Sequence, residues 1–252
     1  MQEKMTVVSH NLIARNIYEL VMQGEITRNM QTPGQFVHIR VGDSSEFMLR
    51  RPISICEVDR EKATLTCLYR ADGKGTKALA KAKAGDAIDI LAPLGNGFPV
   101  AAAKETALLI GGGIGVPPLY ELSKQLNSRG IRTIHVLGFN SQEDIFYADK
   151  FEALGETHIA TADGSYGTQG FVTDVIRNLP QTYDTFYTCG PIVMIKAIQA
   201  ALPDTEGYVS LEERMGCGIG ACYACVCKAD NEHGYVKICT DGPVFKKGEL
   251  EL

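Results

Sequence analysis

Through residues 1–100 apolar positions alternate with polar ones in short runs, and turn residues separate the runs. Period-two alternation turns one face of a strand toward a core, so the runs predict strands over 6–9, 17–21, 35–40, 53–59, 63–69 and 87–92. Short strands at this spacing suggest a small antiparallel barrel. One helical run interrupts them. Thr76 stands where it can cap KALAKAKA, with Gly73 and Gly75 before it and Gly85 after it. A helix start preceded by glycines is also a natural place for an anion.

The pattern changes after the loop PLGNGFP at 93–99. Apolar runs that read as buried strands (106–110, 133–139, 157–161, 184–188) now alternate with helical periodicity over 117–129, 144–154, 171–178 and 192–201. Such alternation implies parallel βαβ units, in which ligands bind outside the carboxyl ends of the strands. The candidate loops are then 111–115, Asn140, 163–167 and 189–191. The first of them, GGGIGVPP, departs from the dinucleotide fingerprint G-x-G-x-x-G, because the third glycine position falls on Val116. A glycine run before a helix opened by Pro117 and Pro118 still lets backbone approach a pyrophosphate, and serves equally as a tight strand-to-helix turn.

Composition narrows the class. The 252 residues suit about two domains at roughly 150 residues each. Hydrophobic residues at 45% and charged residues at 22% are ordinary globular usage. A net charge of −5 with no basic run argues against a nucleic-acid partner. MQEKMTVVSHNL lacks the apolar stretch of a signal peptide, and the longest uncharged stretch, 107–120, is broken by glycine and proline and too short to span a membrane. The expectation is a cytoplasmic protein with no membrane contact, where eight cysteines point to metal or redox chemistry before cross-links. Histidines stand singly at 10, 38, 135, 158 and 233, and none is assigned a role.

Five of the eight cysteines fall within SLEERMGCGIGACYACVCKADNEHGYVKICTDGPVF, residues 210–245. Cys217, Cys222 and Cys225 are spaced C-x4-C-x2-C, and Cys239 follows after thirteen residues, the order of a plant-type [2Fe-2S] site with an early last ligand. Gly216, Gly218 and Gly220 permit positive φ and tight turning, so that N–H groups can face cluster sulfurs. A structural zinc would call for two C-x2-C pairs, and only Cys222 and Cys225 form one. Cys227 breaks the register and is left unliganded.

In the barrel half, Arg51-Pro52-Ile53-Ser54 offers a charge, a stiff backbone and a hydroxyl. Leu68-Tyr69-Arg70 ends the next strand and Gly75-Thr76 opens the helix, so three segments could converge on a phosphate-bearing aromatic ligand. Read on their own, Tyr69 serves as well for edge packing and Arg51 for a solvated charge.

Taken in order, RPIS, GKGT, PLGNGF, GGGIGVPP, CGP and the cysteine cluster resemble the ferredoxin-NADP reductase superfamily with an appended [2Fe-2S] module, over essentially the whole chain. Within it, SLEERMGCGIGACYACVCK followed by KICTDGPVF is similar to the electron-transfer subunits of type B dihydroorotate dehydrogenases. The resemblance implies a β barrel plus α/β architecture: an FAD-binding antiparallel β-barrel over 1–100, an NAD-binding parallel-sheet domain over 101–208, and a cluster module over 209–252. It implies an FAD site that includes Arg51, Pro52, Ile53 and Ser54, with the pyrophosphate near Arg51, Gly75 and Thr76 and the flavin ring near Ser54 and the Leu68-Tyr69-Arg70 strand. Many relatives have tyrosine where Ile53 stands, which makes Tyr69 the candidate for stacking. NAD would lie at Gly111, Gly112, Gly113 and Gly115, with Cys189, Gly190 and Pro191 toward the nicotinamide. The ligands of the cluster would be Cys217, Cys222, Cys225 and Cys239.

The implied activity is electron transfer from a separate FMN-containing dihydroorotate dehydrogenase catalytic subunit, through the cluster and FAD, to NAD+ in pyrimidine biosynthesis, in a heterotetramer of two of each subunit. No residue is assigned a proton-shuttling role. FNSQEDIFY after the second α/β strand holds Glu143 and Asp144 and no arginine, which favours NAD over NADP. The rival readings are a flavin and iron-sulfur subunit of an NADPH-dependent ferredoxin oxidoreductase or sulfite reductase, and a zinc-stabilised adaptor.

Overall fold

In the first half of the chain, β2 of the barrel (Ile17–Gln23) buries Ile17, Leu20 and Met22, and its final strand buries Ile88, Ile90 and Ala92. The computed structural model of the protein describes residues 1–42, 45–180 and 183–252. The strands are β1 (Gln2–Ala14), β2, β3 (Phe36–Ile39), β4 (Arg51–Asp59), β5 (Thr64–Arg70) and β6 (Ala87–Leu94), closed into a barrel in the order β1-β2-β5-β4-β3-β6. Every pairing among them is antiparallel. β1 is far longer than the 6–9 read from periodicity. Its first residues pair with β6 and the rest with β2, and this two-sided pairing holds Val8 and Leu12 outward, against the local pattern.

Helix α1 (Lys74–Leu79) begins earlier than expected. Gly73, not Thr76, is its cap. The Thr76 hydroxyl lies in the first turn, accepting from the Gly73 N–H at 3.2 Å and donating to the Gly73 carbonyl at 3.1 Å. Leu79 is the buried anchor of the helix, and beyond it the bonds tighten to i→i+3, so the following KAKA is turn.

The second half forms a seven-stranded sheet from β7 (Thr106–Gly112), β8 (Arg132–Phe139), β9 (Glu156–Thr161), β10 (Thr168–Gln169), β11 (Thr185–Cys189), β12 (Glu206–Ser210) and, far along the chain, β15 (Val244–Lys246). The order is β10-β9-β8-β7-β11-β12-β15, parallel except for β15. Helices α2 (Pro117–Ser128), α3 (Ala148–Glu152), α4 (Val172–Ile176) and α5 (Ile192–Ala201) connect them. β7 is buried at every position, as a central strand covered on both faces must be. α4 and α5 close one core with Val172, Val175 and Ile198 against Leu108, Ile134 and Val136. The helix expected over 144–154 is only α3, because Tyr147 takes φ 60° and ends any continuous helical path before Ala148. No described helix is long and apolar enough to cross a membrane.

The chain divides into two compact units, one of Met1–Gly97 with Glu212–Pro243 and one of Phe98–Leu211 with Val244–Leu252. The segment 209–252 is therefore shared: its cysteines pack with the barrel and its last strand returns to the sheet. The hairpin β13 (Val226–Lys228) and β14 (Tyr235–Lys237) belongs to the first unit.

Asp184, at the start of β11, ties the sheet unit together. Its carboxylate accepts the N–H groups of Lys104, Glu105 and Thr106 at 3.0, 2.8 and 2.9 Å and the Thr185 hydroxyl at 3.0 Å. Desolvation pushes the carboxyl up, but these donors outweigh it and hold it below the usual carboxylate range. A depressed value means stability that is present above the unfolded value of about 3.9 and is lost as pH falls through the folded one. Asp184→Asn is expected to cost about 1.5–3 kcal/mol at pH 7, the scale of hydrogen bonds to a charged group, with the gap closing below about pH 4. Urea melts at both pH values check it, and superimposable curves at pH 7 would refute it.

Candidate functional site

The cysteine loop is built around its sulfurs. Gly218 and Gly220 take φ 72° and 81°, which turns successive N–H groups inward. Ile219 and Ala221 N–H groups donate to Cys217 Sγ at 3.4 and 3.3 Å, Gly220 N–H to Cys239 Sγ at 3.2 Å, and Cys217 N–H to Cys222 Sγ at 3.3 Å. Gly216 has no positive φ. Its part is close approach, since a Cβ there would stand 3.0 Å from Cys222 Sγ. Desolvation pulls the Cys217 thiol up, yet the surrounding donors bring it down to about 6. Desolvation and a bond with Cys225 push the Cys239 thiol up to about 11.

The sulfurs gather by twos as free thiols, Cys217 hydrogen-bonded with Cys222 and Cys239 with Cys225. Among the described residues no three or more His, Cys, Asp or Glu side chains are gathered as around one ion. Two pairs of thiols with backbone donors on the sulfurs are the donor set that a two-iron cluster held by four cysteines takes. Cys227 stands apart on β13, opposite Val236, with its Sγ 3.9 Å from Glu213 Oε1. Cys225→Ser is expected to lose the cluster's visible absorbance after reconstitution, and Cys227→Ser to keep it. The reverse outcome would overturn the ligand set.

The loop is clasped to the barrel by residues that sequence reading passed over. Asn96, in the GNG of PLGNGFP, donates its side-chain amide to the carbonyls of Thr240 and Asp241 at 3.0 Å each, and its N–H to Gly242 at 2.7 Å. The two loop motifs at 93–99 and 239–245 are thus one contact. Lys237 Nζ donates to the Gly220 carbonyl at 3.0 Å and lies 4.0 Å from the centre of the Tyr223 ring.

On the barrel, β4 and β5 pair from Ile55 and Cys67 back to Asp59 and Thr64. Beyond that point Arg51, Pro52, Ile53 and Ser54 pair with β3, whereas Leu68, Tyr69 and Arg70 pair with β2, so the wall opens between them. The Arg51 guanidinium lies against Gly75 so closely that a Cβ there would stand 2.6 Å from Nη2. A fixed cation at a glycine-opened helix start suits an anionic pyrophosphate. Tyr69 is 1% exposed, its ring stacked on Tyr18 and its hydroxyl bonded to His10 Nε2 at 2.8 Å, which makes it a packing residue of the wall. Leu68 is buried and Arg70 half-buried, 3.8 Å from Asp72.

In the sheet unit, β7 and β11 are neighbours from which the strand order runs outward in opposite directions, and a doubly wound sheet takes its ligand at such a switch point. The loops leaving these two strands are Gly111, Gly112, Gly113 and Gly115 on one side and Cys189, Gly190 and Pro191 on the other. They touch. A Cβ on Gly115 would land on the Cys189 carbonyl and 2.6 Å from Gly190 Cα, and one on Gly112 would meet Met194 Sδ at 2.5 Å. Beside them, Asp144 accepts from the Ser141 N–H and hydroxyl at 3.2 and 3.1 Å, and the Gln142 N–H donates to the Ser165 hydroxyl at 2.8 Å, joining the loops after β8 and β9.

Residues 212–251 match the family model described as the iron-sulfur cluster binding domain of dihydroorotate dehydrogenase B, and residues 109–200 match an oxidoreductase NAD-binding domain. The chain is 58% identical, over all of its length and 99% of the other, to the dihydroorotate dehydrogenase B (NAD(+)) electron transfer subunit of Lysinibacillus sphaericus. It is 56% identical over the same shares to the subunit so named in Bacillus cereus. The chain belongs to this family of electron transfer subunits. Family membership fits the architecture read from the sequence, barrel and parallel sheet alike. A solved structure of an NADH-dependent reduced ferredoxin-NADP oxidoreductase superposes with a TM-score of 0.88 at 29% identity, covering 98% of this chain and 89% of that one. The cytochrome b5 reductase domain of Ulva prolifera nitrate reductase shares the fold, at 17% identity and a TM-score of 0.65 over 81% of this chain and 92% of that one.

Proposed function

We propose that this chain transfers electrons from an FMN-containing catalytic subunit that oxidises dihydroorotate, by way of a [2Fe-2S] cluster and FAD, to NAD+. It is an oxidoreductase subunit, and it works with a catalytic partner. The reading is carried by one observation: a single chain holds two backbone-fed thiol pairs, a guanidinium set at a glycine-opened helix, and a glycine crevice at a sheet switch point. When bound, a flavin exchanges electrons singly with an iron-sulfur cluster and in pairs with nicotinamide.

The chain's own residues bind and orient. Cys217 with Cys222 would hold one iron and Cys225 with Cys239 the other, while the loop N–H groups offset thiolate charge. Arg51, Gly75 and Thr76 would hold the FAD pyrophosphate, and the open wall between Arg51–Ser54 and Leu68–Arg70 would take the ring. Gly111, Gly112, Gly113, Gly115, Cys189, Gly190 and Pro191 take NAD, and the carboxylates of Glu143 and Asp144 disfavour a 2'-phosphate. Functionally the chain divides as 1–100 for FAD, 101–208 for NAD and 209–252 for the cluster. The complex contains two copies of each subunit and works in the cytoplasm, a setting that suits eight unbridged cysteines.

The test uses the purified holoprotein. It should pass electrons from NADH to a dye and leave dihydroorotate untouched, and addition of the catalytic subunit should create dihydroorotate-dependent NAD+ reduction. Dihydroorotate oxidation by the chain without its partner would refute the division of labour.

A further inference from the structure

Three of the histidines have ordinary partners. His10 bonds to Tyr69 and to the Ala82 carbonyl, His135 to Ser123 and Thr157, and His158 to Glu156. His38 on β3 differs: it is 0% exposed, neither ring nitrogen reaches a partner at full hydrogen-bond geometry, and the groups that face it are the backbones of Cys217 and Arg50. Buried polar groups are hydrogen-bonded as a rule, and an exception asks for a functional reason.

The place of the ring supplies one. A Cβ on Gly218 would stand 2.6 Å from His38 Nδ1, 3.2 Å from Cε1 and 3.3 Å from Cγ, so the imidazole lies directly under the residue that follows Cys217. The backbone carbonyls of Cys217 and Arg50 face the ring as acceptors. Its own backbone is fixed, because His38 pairs with Pro52 on β4 and Leu91 on β6, and its carbonyl accepts from Arg50 Nη1 at 3.3 Å. Arg50 is in turn anchored to Asp89 at 2.6 Å. His38 thus stands between the strand segment Arg51–Ser54 and the turn that carries the first cysteine of the cluster loop.

We infer that His38 is a positioning residue of the [2Fe-2S] site, a buried imidazole that presents an N–H to the Cys217–Gly218 turn and sets that turn against the barrel strand bearing Arg51 and Ser54. The inference rests on the cluster reading above. Donors directed at a cluster or its ligand loop stabilise the more negative, reduced form, and outer partners of metal ligands hold those ligands in place. Removing the donor while keeping the ring's bulk should make the cluster harder to reduce and easier to extract.

The experiment compares the full chain, reconstituted with iron and sulfide, as wild type, His38→Phe and His38→Gln. His38→Phe is expected to move the cluster midpoint potential to more negative values, shift the g-values of the reduced cluster, and speed its loss to a chelator by about tenfold. His38→Gln, which restores a side-chain N–H, should return all three readouts toward wild type, and flavin content and melting temperature should hold. Should His38→Phe not fold, His38→Leu removes the same donor with a smaller side chain and should shift the potential, g-values and extraction rate likewise. Folded variants with wild-type g-values, potential and extraction rate would overturn the inference and leave the cluster reading standing. Wild-type protein with no cluster signal would overturn both.

Discussion

Cys222→Ser is expected to abolish dihydroorotate-dependent NAD+ reduction in the reconstituted complex while most of the NADH-to-dye activity survives. Cys222 Sγ accepts the Cys217 N–H at 3.3 Å and bonds with Cys217, so its loss leaves one of the two pairs with a single thiolate. A serine oxygen is a hard, weakly acidic donor in a site whose other members are soft sulfurs. The drop should reach at least about a hundredfold, the upper scale on which losing a supporting group weakens a metal site. The loops after β7 and β11 belong to the other compact unit, so the variant should leave their geometry unchanged. The measurement is the ratio of the two activities in one preparation, and full dihydroorotate-dependent turnover in a variant lacking cluster absorbance would sink the route through the cysteines.

The second large effect concerns the crevice. Gly115→Ala would place a methyl group on the Cys189 carbonyl and 2.6 Å from Gly190 Cα. Both obstacles are backbone, which cannot rotate away as a side chain can, so the loops after β7 and β11 must separate. A displacement of about 1 Å in a positioning element is worth about a hundredfold, and kcat/KM for NADH should fall on that scale with flavin and cluster content unchanged. Gly130→Ala, whose new methyl meets open space although its φ of 77° strains any side chain, should lose some stability and still keep NADH kinetics. Unaltered kinetics in Gly115→Ala would show that the two loops do not jointly bind the nucleotide.

Much of this was legible before the fold was known, and the reason is locality. Period-two runs mark the barrel strands, the helical periodicity over 192–201 coincides with α5, and the C-x4-C-x2-C register is visible because spacing within one loop is a property of neighbours. Capping was less legible. Thr76 and Gly73 are both acceptable helix starts, and the choice fell to the burial of Leu79, which a propensity cannot see.

What the chain order could not reveal depends on partners far away in sequence. β15 is three residues long with no pattern of its own, and it exists because β12 offers it an edge. Asn96 became a clasp only when the loop at 240–242 came within reach of its amide. Tyr69 looked like a ring available for stacking, yet Tyr18 and His10 from other strands enclose it. His38 reads as one more isolated histidine until Gly218, brought in from the far end of the chain, is seen against its ring. Residue type and local spacing determine which chemistry a segment is able to perform. Burial and the pairing of strands distant in sequence, settled only when the whole core closes, determine which of those segments meet.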